Sequence, residues 1–324
     1  MAALVGIDLG GTTCGGAVVS REGRVLARVS RPVVDRAPDA VAALIIAVVA
    51  DAISAAALTK ADIAAVGVCS PGRIIDGCVV GASNFPLMRD FPLATIVKDA
   101  VGRPTRLVND ADAAMAAEFW VGAASSVESC VMLTLGTGVG MGAVCGGNLL
   151  AGSTGLIEGG HMIIVPGGRP CGCGQNGCLE TYASATAVKR EGNAALADAR
   201  ARGIATELEA LAAAHGGEVD AKDVVDAARN GDAVAVAIID DAAKHLAIGC
   251  ITVARVLDPQ MIIFAGGLAL AGEFLFEQVR RHIARLTWTA AGLPREIALG
   301  QASVKNDAGV IGAAAAARPL LASL

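Results

Sequence analysis

The sequence predicts an α/β protein whose sheets are covered by helices, and three observations carry that assignment. Short apolar runs end in glycine-rich turns at three places, Ala-rich helical stretches lie between them, and one strand-and-turn plan occurs twice. The first run is residues 4–9 (Leu-Val-Gly-Ile-Asp-Leu), closed by Gly10-Gly11-Thr12-Thr13, with residues 17–19 as its hairpin partner. Residues 40–58 then read as a buried helix, opened by Pro38-Asp39 and ended by Thr59-Lys60. A strand-like Arg106-Leu107-Val108 precedes an Ala-rich helix over 111–120. Residues 131–135 repeat the opening plan: strand, Leu-Gly, a turn of Gly136-Thr137-Gly138-Val139-Gly140, and a returning strand around Ala143-Val144. The offset from Asp8 to Thr134, about 126 residues, predicts an internal duplication. Residues 185–215 form a solvated helical elaboration, and 232–257 and 273–286 are further helices on either side of a third strand and turn, 261–264 with Ala265-Gly266-Gly267. The tail, Gly309-Val310-Ile311-Gly312 and an alanine run, predicts a terminal helix packed by close backbone approach.

Composition narrows the classes. The 324 residues allow about two domains of roughly 150 residues each, and the net charge of −5 argues against a nucleic-acid partner, which needs a dense basic face. Hydrophobic residues make up 54% and aromatics only 3%, so the core must be built from Ala, Val, Ile and Leu. Disorder is excluded by the same numbers. The 40 glycines are too many for a helical bundle and lack the collagen period. Mean hydropathy is high, at +0.58, and 40–58 is the worst case for a membrane span. Asp51 near its middle, and the small transfer energy of alanine, favour a core helix instead. The first basic residue is Arg21, so no secretory signal is read. Nine cysteines in a chain of this size do not suggest a disulfide scaffold, and the cytoplasm is expected.

A strand-ending turn of Gly and Thr offers free N–H groups and hydroxyls that suit phosphate oxygens. Neither a P-loop nor a Gly-x-Gly-x-x-Gly string is present. One such turn is no more than a tight hairpin. Two of them half a chain apart, one led by Asp8, point to a clamp on a polyphosphate. A carboxylate beside phosphate is repulsive unless a divalent cation lies between, so Asp8 is assigned to magnesium, held largely through water.

His161 and the run Cys171-Gly-Cys173-Gly-Gln-Asn-Gly-Cys178 form the densest cluster of ligand side chains. One His and three Cys complete a tetrahedral zinc site that is closed, and therefore structural. A disulfide between next-but-one cysteines has poor geometry. Cysteines 14, 69, 78, 130, 145 and 250 lie in apolar contexts and read as small core residues.

Together these residues resemble the ROK family of bacterial-type sugar kinases over nearly the whole chain. The resemblance rests on Asp8-Leu-Gly-Gly-Thr-Thr13, Ser70-Pro-Gly72, Asn84, Val108-Asn-Asp-Ala-Asp112 and Leu135-Gly-Thr-Gly138. It rests most specifically on Glu158-Gly-Gly-His161 with Cys171-x-Cys173-Gly-x-x-Gly-Cys178-x-Glu180. Gly231-Asp232 and Leu257-Asp258-Pro259 ahead of Ala265-Gly266-Gly267 are similar too. The resemblance implies an actin-like, hexokinase-type (ribonuclease H-like) fold: a duplicated pair of domains around a cleft. The expected divisions are a small domain over 1–116, a large one with the metal motif over 117–300, and a C-terminal helix over 301–324 returning to the small domain.

A phosphoryl-transfer enzyme needs a carboxylate beside the attacking hydroxyl. The resemblance implies that Asp110 is this base, and that Gly72, Arg73, Asn84, Asn109, Glu158, His161 and Glu180 contact the sugar. ATP and its phosphates fall to Asp8, Gly10, Gly11, Thr12, Thr13, Thr137, Gly138, Gly266 and Gly267, with Mg²⁺ accompanying the nucleotide. Asp112 is the expected helix cap. Glu158 and His161, three apart, share a face of a helical turn, and His161 joins the zinc site to the sugar. His215, His245 and His282 match no motif.

Many family glucokinases carry Pro where this chain has Arg73, and an Arg there occurs in N-acetylmannosamine kinases. Where a Trp often follows the sugar-binding Asn, Leu87-Met88 stand here. The expected activity is phosphorylation of glucose at O6, with an N-acetylmannosamine or N-acetylglucosamine kinase as the alternative. The family's repressors add an N-terminal helix-turn-helix, for which the seven residues before Asp8 leave no room. A sugar-binding protein without catalysis is disfavoured by Asp8 and Asp110. The expected partners are sugar and ATP, with no nucleic acid or membrane, and the expected assembly is a homodimer or dimer of dimers.

Overall fold

The computed structural model describes residues 3–155, 157–286, 296–305 and 307–323. The first half runs β1 (Ala3–Leu9), β2 (Thr13–Val19), β3 (Val25–Pro32), α1 (Pro38–Ala55), β4 (Ile63–Cys69), β5 (Arg73–Ile75), β6 (Cys78–Gly81), α2 (Leu93–Val101), β7 (Thr105–Val108) and α3 (Asp110–Val121). The second continues with β8 (Cys130–Leu135), β9 (Val139–Cys145), β10 (Asn148–Leu149), α4 (Glu180–Ala183), α5 (Ala185–Arg202), α6 (Leu208–Ala214), α7 (Ala221–Arg229) and α8 (Ala233–Leu257). It ends with β11 (Met261–Ala265), α9 (Glu273–Leu286), β12 (Ala298–Gln301) and α10 (Ala308–Ala317).

Two five-stranded sheets correspond strand for strand, in the orders β3-β2-β1-β4-β7 and β10-β9-β8-β11-β12. In the first, β1 pairs antiparallel with β2 and parallel with β4, and β4 runs parallel to β7. In the second, β9 pairs antiparallel with β10, and β11 runs parallel to β12. This repeated topology is what the duplicated turn motif predicts. By its contacts the chain divides into a first unit, Met1–Cys130 with Gly142–Ile157 and Ala302–Leu324, and a second, Val131–Met141 with Glu158–Gln301.

In the first unit, α1 is long and apolar enough to cross a membrane by length and composition. Its apolar face is instead buried on the sheet, with Val41, Ile45, Val48 and Val49 packed among Val5, Ile7, Leu9, Val18, Val66 and Val68. Asp51 lies on the outer side and pairs with Arg31 at 2.6 Å. The opposite face is covered by α10, and glycine makes that contact possible. A Cβ on Gly6 would stand 1.8 Å from the Val310 carbonyl oxygen, and one on Gly67 1.7 Å from that of Ala313. Gly312 lies as close to α3, where a Cβ would meet the Ala113 oxygen at 1.8 Å. The alanine run is buried because the helix backbone itself lies on the sheet.

One buried carboxylate ties this layer together. Glu118 of α3 is 1% exposed. It accepts from the Ser303 and Val304 amides at 2.8 and 2.6 Å, and from the Ala123 amide and the Ser303 hydroxyl at 2.7 and 3.2 Å. It therefore fixes the end of α3 and the segment leading into α10 at once.

In the second unit, α8 starts at Asp232, whose side chain accepts from the Ala235 amide at 2.9 Å. Phe264 of β11 packs on Phe276 of α9 at 5.1 Å between ring centroids, and His282 of α9 bonds Asp240 of α8 at 2.9 Å.

Candidate active site

In the first unit, the carboxyl ends of β1 and β4 lie side by side, so Asp8 stands in register with Cys69. Burial raises the Asp8 carboxyl above the usual carboxylate range, a hydrogen bond with the Cys69 thiol opposes this, and the charge of Asp110 raises it further. The Cys69 thiol is itself pushed far up, first by burial and then by Asp8 and Asp110, with Asp112 adding to them. Three carboxylates thus gather around one buried thiol. Such a place favours a cation. Gly309, in the first turn of α10, admits this arrangement, because a Cβ there would lie 2.2 Å from Asp8 Oδ2.

The turn after β1 is closed by the Gly10 amide donating to the Thr13 carbonyl at 2.8 Å, and it leaves Thr12 and Thr13 exposed. Arg36 donates to the Gly11 carbonyl at 3.0 Å. The exposed Asn84 amide lies over Gly11, where a Cβ would come within 3.4 Å of its Nδ2. Asn109 caps α3 by accepting from the Asp112 amide at 2.7 Å. The cap expected at Asp112 is therefore supplied three residues earlier, because Asn109 has the extended backbone a cap requires. Its Nδ2 remains a donor, and Asp110, at the first helical position, is exposed. Gly72 adopts φ +101° beneath the β5–β6 hairpin, where a Cβ would strike the Gly81 oxygen at 2.4 Å. Arg73 Nε donates to the Thr154 carbonyl at 2.6 Å.

In the second unit, the turn after β8 is closed by the Gly136 amide on the Gly138 carbonyl at 3.0 Å and by the Gly140 amide on Thr134 Oγ1 at 3.1 Å. Thr137 from this turn and Gly267 from the turn after β11 line one cavity of about 490 Å³. Its walls are largely apolar, including Ala185, Val225, Leu268 and Leu270. The cations at its rim are engaged: Lys189 with Glu218 at 3.0 Å, Lys222 with Asp226 at 2.6 Å, and Arg229 with the Ala271 carbonyl at 2.7 Å.

The ligand atoms of His161, Cys171, Cys173 and Cys178 lie within 4.8 Å of one another. Cys171 Sγ is 3.6 Å from His161 Nδ1, and the Cys173 and Cys178 sulfurs are 3.6 Å apart. Around one tetrahedral ion, metal–ligand bond lengths set edges of about 3.6 Å between thiolate and imidazole and about 3.8 Å between thiolates. The donor set fits. Burial pushes the Cys171 thiol up to about 12, while a backbone hydrogen bond at Gln175 draws Cys173 down. Glu180 heads α4 and touches this cluster: Oε1 accepts from the Cys171 thiol at 3.1 Å and lies 3.7 Å from His161 Nδ1. Oε2 accepts from the Val139 amide at 3.4 Å, which brings Glu180 beside the second glycine turn. Glu158 precedes a 3₁₀ turn over Gly159–His161, a geometry in which residues three apart eclipse.

Sequence reasoning passed over Glu118, Cys69 as a partner of Asp8, and the Arg169–Tyr182 contact beside the cysteine loop. A lone Glu in an alanine-rich helix and the only Tyr of the chain were the available signals.

The profile of the ROK family matches residues 4–319. The chain belongs to the ROK family. A glucokinase of Halalkalibacterium halodurans is 36% identical, over 95% of this chain and 92% of its own length. A ROK hexokinase from Thermus thermophilus superposes with a TM-score of 0.81 at 32% identity, covering 99% of this ROK chain and 100% of the other. A ROK glucokinase from Streptomyces griseus, solved in complex with glucose and AMPPNP, gives 0.73 at 32% identity, with coverage of 98% and 100%. The fold is accordingly the actin-like fold of ROK kinases.

Proposed function

We propose that this ROK protein is an ATP-dependent hexose kinase that transfers the γ-phosphoryl group of MgATP to the 6-hydroxyl of glucose. The observation that carries the reading is the pairing of Asp8 with Asp110 at the strand ends of the first unit, in a chain over a third identical to a glucokinase. Asp110, exposed at the start of α3, takes the proton of the attacking hydroxyl as the O–P bond forms. Asn109 donates to sugar hydroxyls from Nδ2 while its Oδ1 stays on the helix, so the cap itself orients the amide. Asn84, Glu158, His161 and Glu180 are the further sugar contacts. The turn residues from Gly10 to Thr13, with Thr137, Gly138, Gly266 and Gly267, receive the nucleotide and its phosphates. The apolar cavity beside Thr137 and Gly267 has the size of a small-ligand pocket and suits the base. Magnesium carried with ATP would supply positive charge between Asp8 and the phosphates.

The cluster of His161, Cys171, Cys173 and Cys178 is assigned to zinc. All four donors are protein side chains, so the ion's part is to hold the loop that orients His161 and Glu180. The proposed compartment is the cytoplasm. The test is a panel of hexoses and N-acetylhexosamines with ATP and Mg²⁺, read by ADP release. Glucose should give the highest kcat/KM. A panel in which no sugar raises ADP release above the blank overturns the reading, and preference for an acetylated sugar moves it to the alternative substrate.

A further inference from the structure

We infer that Tyr182 is a positioning residue, the middle of an Arg169–Tyr182–His245 column that sets Glu180 and the metal-binding loop in register with α8. The sugar-facing part of this inference rests on the role of Glu180 proposed above. Tyr182 is the only tyrosine of the chain and is 7% exposed. One face of its ring stacks on His245 at 4.3 Å between centroids and 26° between planes. The Arg169 guanidinium also lies over the ring, 4.4 Å from its centroid. Its hydroxyl accepts from the Arg169 backbone amide at 2.9 Å. That approach needs glycine beside it, since a Cβ on Gly168 would lie 2.2 Å from the hydroxyl oxygen.

Arg169 in turn governs both ends of the cysteine loop. It stands two residues before Cys171, and its carbonyl accepts from the Gly177 amide, next to Cys178, at 2.7 Å. Its guanidinium donates to the Thr181 carbonyl at 3.3 Å and pairs with Glu191 at 3.0 Å. The helix that presents Glu180 has only four residues and no side-chain cap, so it cannot hold its own place. Tertiary contacts must do so: the Thr181 carbonyl accepts from Arg169 and from Arg190 at 2.7 Å, and Tyr182 adds the aromatic contact that reaches α8. At the far end His245 is 9% exposed, belongs to the 25-residue α8, and is fixed by Nδ1 on the Asp241 carbonyl at 2.8 Å. The column therefore runs from the longest helix, through the aromatic pair, to the loop and to the carboxylate 3.1 Å from Cys171.

The test uses the full chain loaded with zinc. Tyr182→Leu removes ring and hydroxyl, Tyr182→Phe keeps the ring, and Arg169→Lys keeps the charge but loses the planar fork. The readouts are hexose KM, ATP KM, kcat, thermal midpoint, and the rate of zinc transfer to a chromophoric chelator. Tyr182→Leu should raise hexose KM tenfold or more and speed zinc release at least tenfold, with ATP KM within twofold. Tyr182→Phe should restore both to within threefold of the parent, although its midpoint falls because the Arg169 amide loses its acceptor. Arg169→Lys should move hexose KM and zinc release in the same direction, and it stands in if Tyr182→Leu does not fold. A folded Tyr182→Leu or Arg169→Lys with hexose KM and zinc release within twofold of the parent overturns the column. Zinc release is read without sugar or ATP. A parent protein inactive on every sugar thus counts against the kinase reading, while the release rate alone upholds or overturns the column.

Discussion

Replacing Glu118 with Gln should destabilise the first unit by about 2–4 kcal/mol, and the figure follows from four hydrogen bonds. Oε1 accepts from the Ser303 and Val304 amides and Oε2 from the Ala123 amide and the Ser303 hydroxyl. Bonds to a charged group are worth about 1.5–3 kcal/mol, and those to a neutral one about 0.5–1.5. With the Gln carbonyl in place of Oε1, two bonds survive at neutral strength, a loss of about 1 kcal/mol each. The amide nitrogen then faces the Ala123 N–H donor to donor, and a buried donor left without an acceptor costs about 1–3 kcal/mol. The Ser303 hydroxyl can rotate to accept, so it adds little. Burying a neutral amide is easier than burying a carboxylate, which offsets part of the sum. Urea unfolding followed by Trp fluorescence suits the test, because Trp120 lies two residues beyond Glu118 on the same helix. A change within about 0.5 kcal/mol, the range of an ordinary surface substitution, would refute the reasoning.

Asp110→Asn should fold as the parent does and keep hexose affinity while turnover falls about 10²–10⁴-fold, the usual worth of a general base; activity within tenfold removes Asp110 from the mechanism. Asp8→Asn should raise the thermal midpoint of the magnesium-free protein. The folded-state pKa of Asp8 lies above its ordinary 3.8, so the parent's stability from this group is present below that value and lost as pH rises through the folded one. The variant's advantage should therefore be small near pH 4 and full at pH 8, and an advantage equal at both ends would contradict the sign. Cys171→Ser should lower the zinc content from one per chain, together with thermal stability and hexose affinity; unchanged stability and affinity without the metal would remove its structural role. Arg73→Ala should change the ratio of kcat/KM for glucose and N-acetylmannosamine by tenfold or more if its Nη groups face the sugar, and an unchanged ratio confines Arg73 to its bond with Thr154.

Long, regular elements were legible because their signals are local. The helix expected over 232–257 appears as Ala233–Leu257 behind its Asp232 cap, and that expected over 273–286 as Glu273–Leu286. The duplicated turn disclosed the two corresponding sheets, since strand, Leu-Gly and returning strand lie within about a dozen residues in each copy. The Cys/His spacing disclosed that His161, Cys171, Cys173 and Cys178 come together. What sequence reasoning did not reach depends on distant partners. Glu118 finds Ser303 across 185 positions, and nothing local distinguishes it from a solvated helix residue. The cap of α3 was misplaced because Asn109 and Asp112 are both good caps, and the choice belongs to the backbone leaving β7. The four-residue α4 is too short for a periodic signal, and it is held by distant partners, His245 and Arg169 on Tyr182 and Arg190 on the Thr181 carbonyl.

Among the differences between the two copies of the turn, Asp8 against Thr134 is the one that changes charge. Asp8 and Thr134 each stand two residues before the first glycine, at the same place in their strands. Thr134 turns its hydroxyl inward and accepts from the Gly140 amide, so the second turn is closed by a neutral group and its backbone can meet phosphate without charge repulsion. Asp8 is placed among Cys69 and Asp110, where burial and a like charge both oppose its ionisation. Left alone, a carboxylate in that position makes the fold less stable, and a neutral side chain would relieve it. The magnesium proposed to accompany ATP would relieve that repulsion, with Asp8 holding it largely through water. On the proposed reading, exchanging the two side chains, Asp8→Thr with Thr134→Asp, should abolish magnesium-dependent turnover rather than transfer it, because β12, which corresponds to β7, leads into Ala302-Ser303 where β7 leads into Asn109-Asp110. A doubly exchanged chain that retained magnesium-dependent turnover would show that either turn can hold the ion.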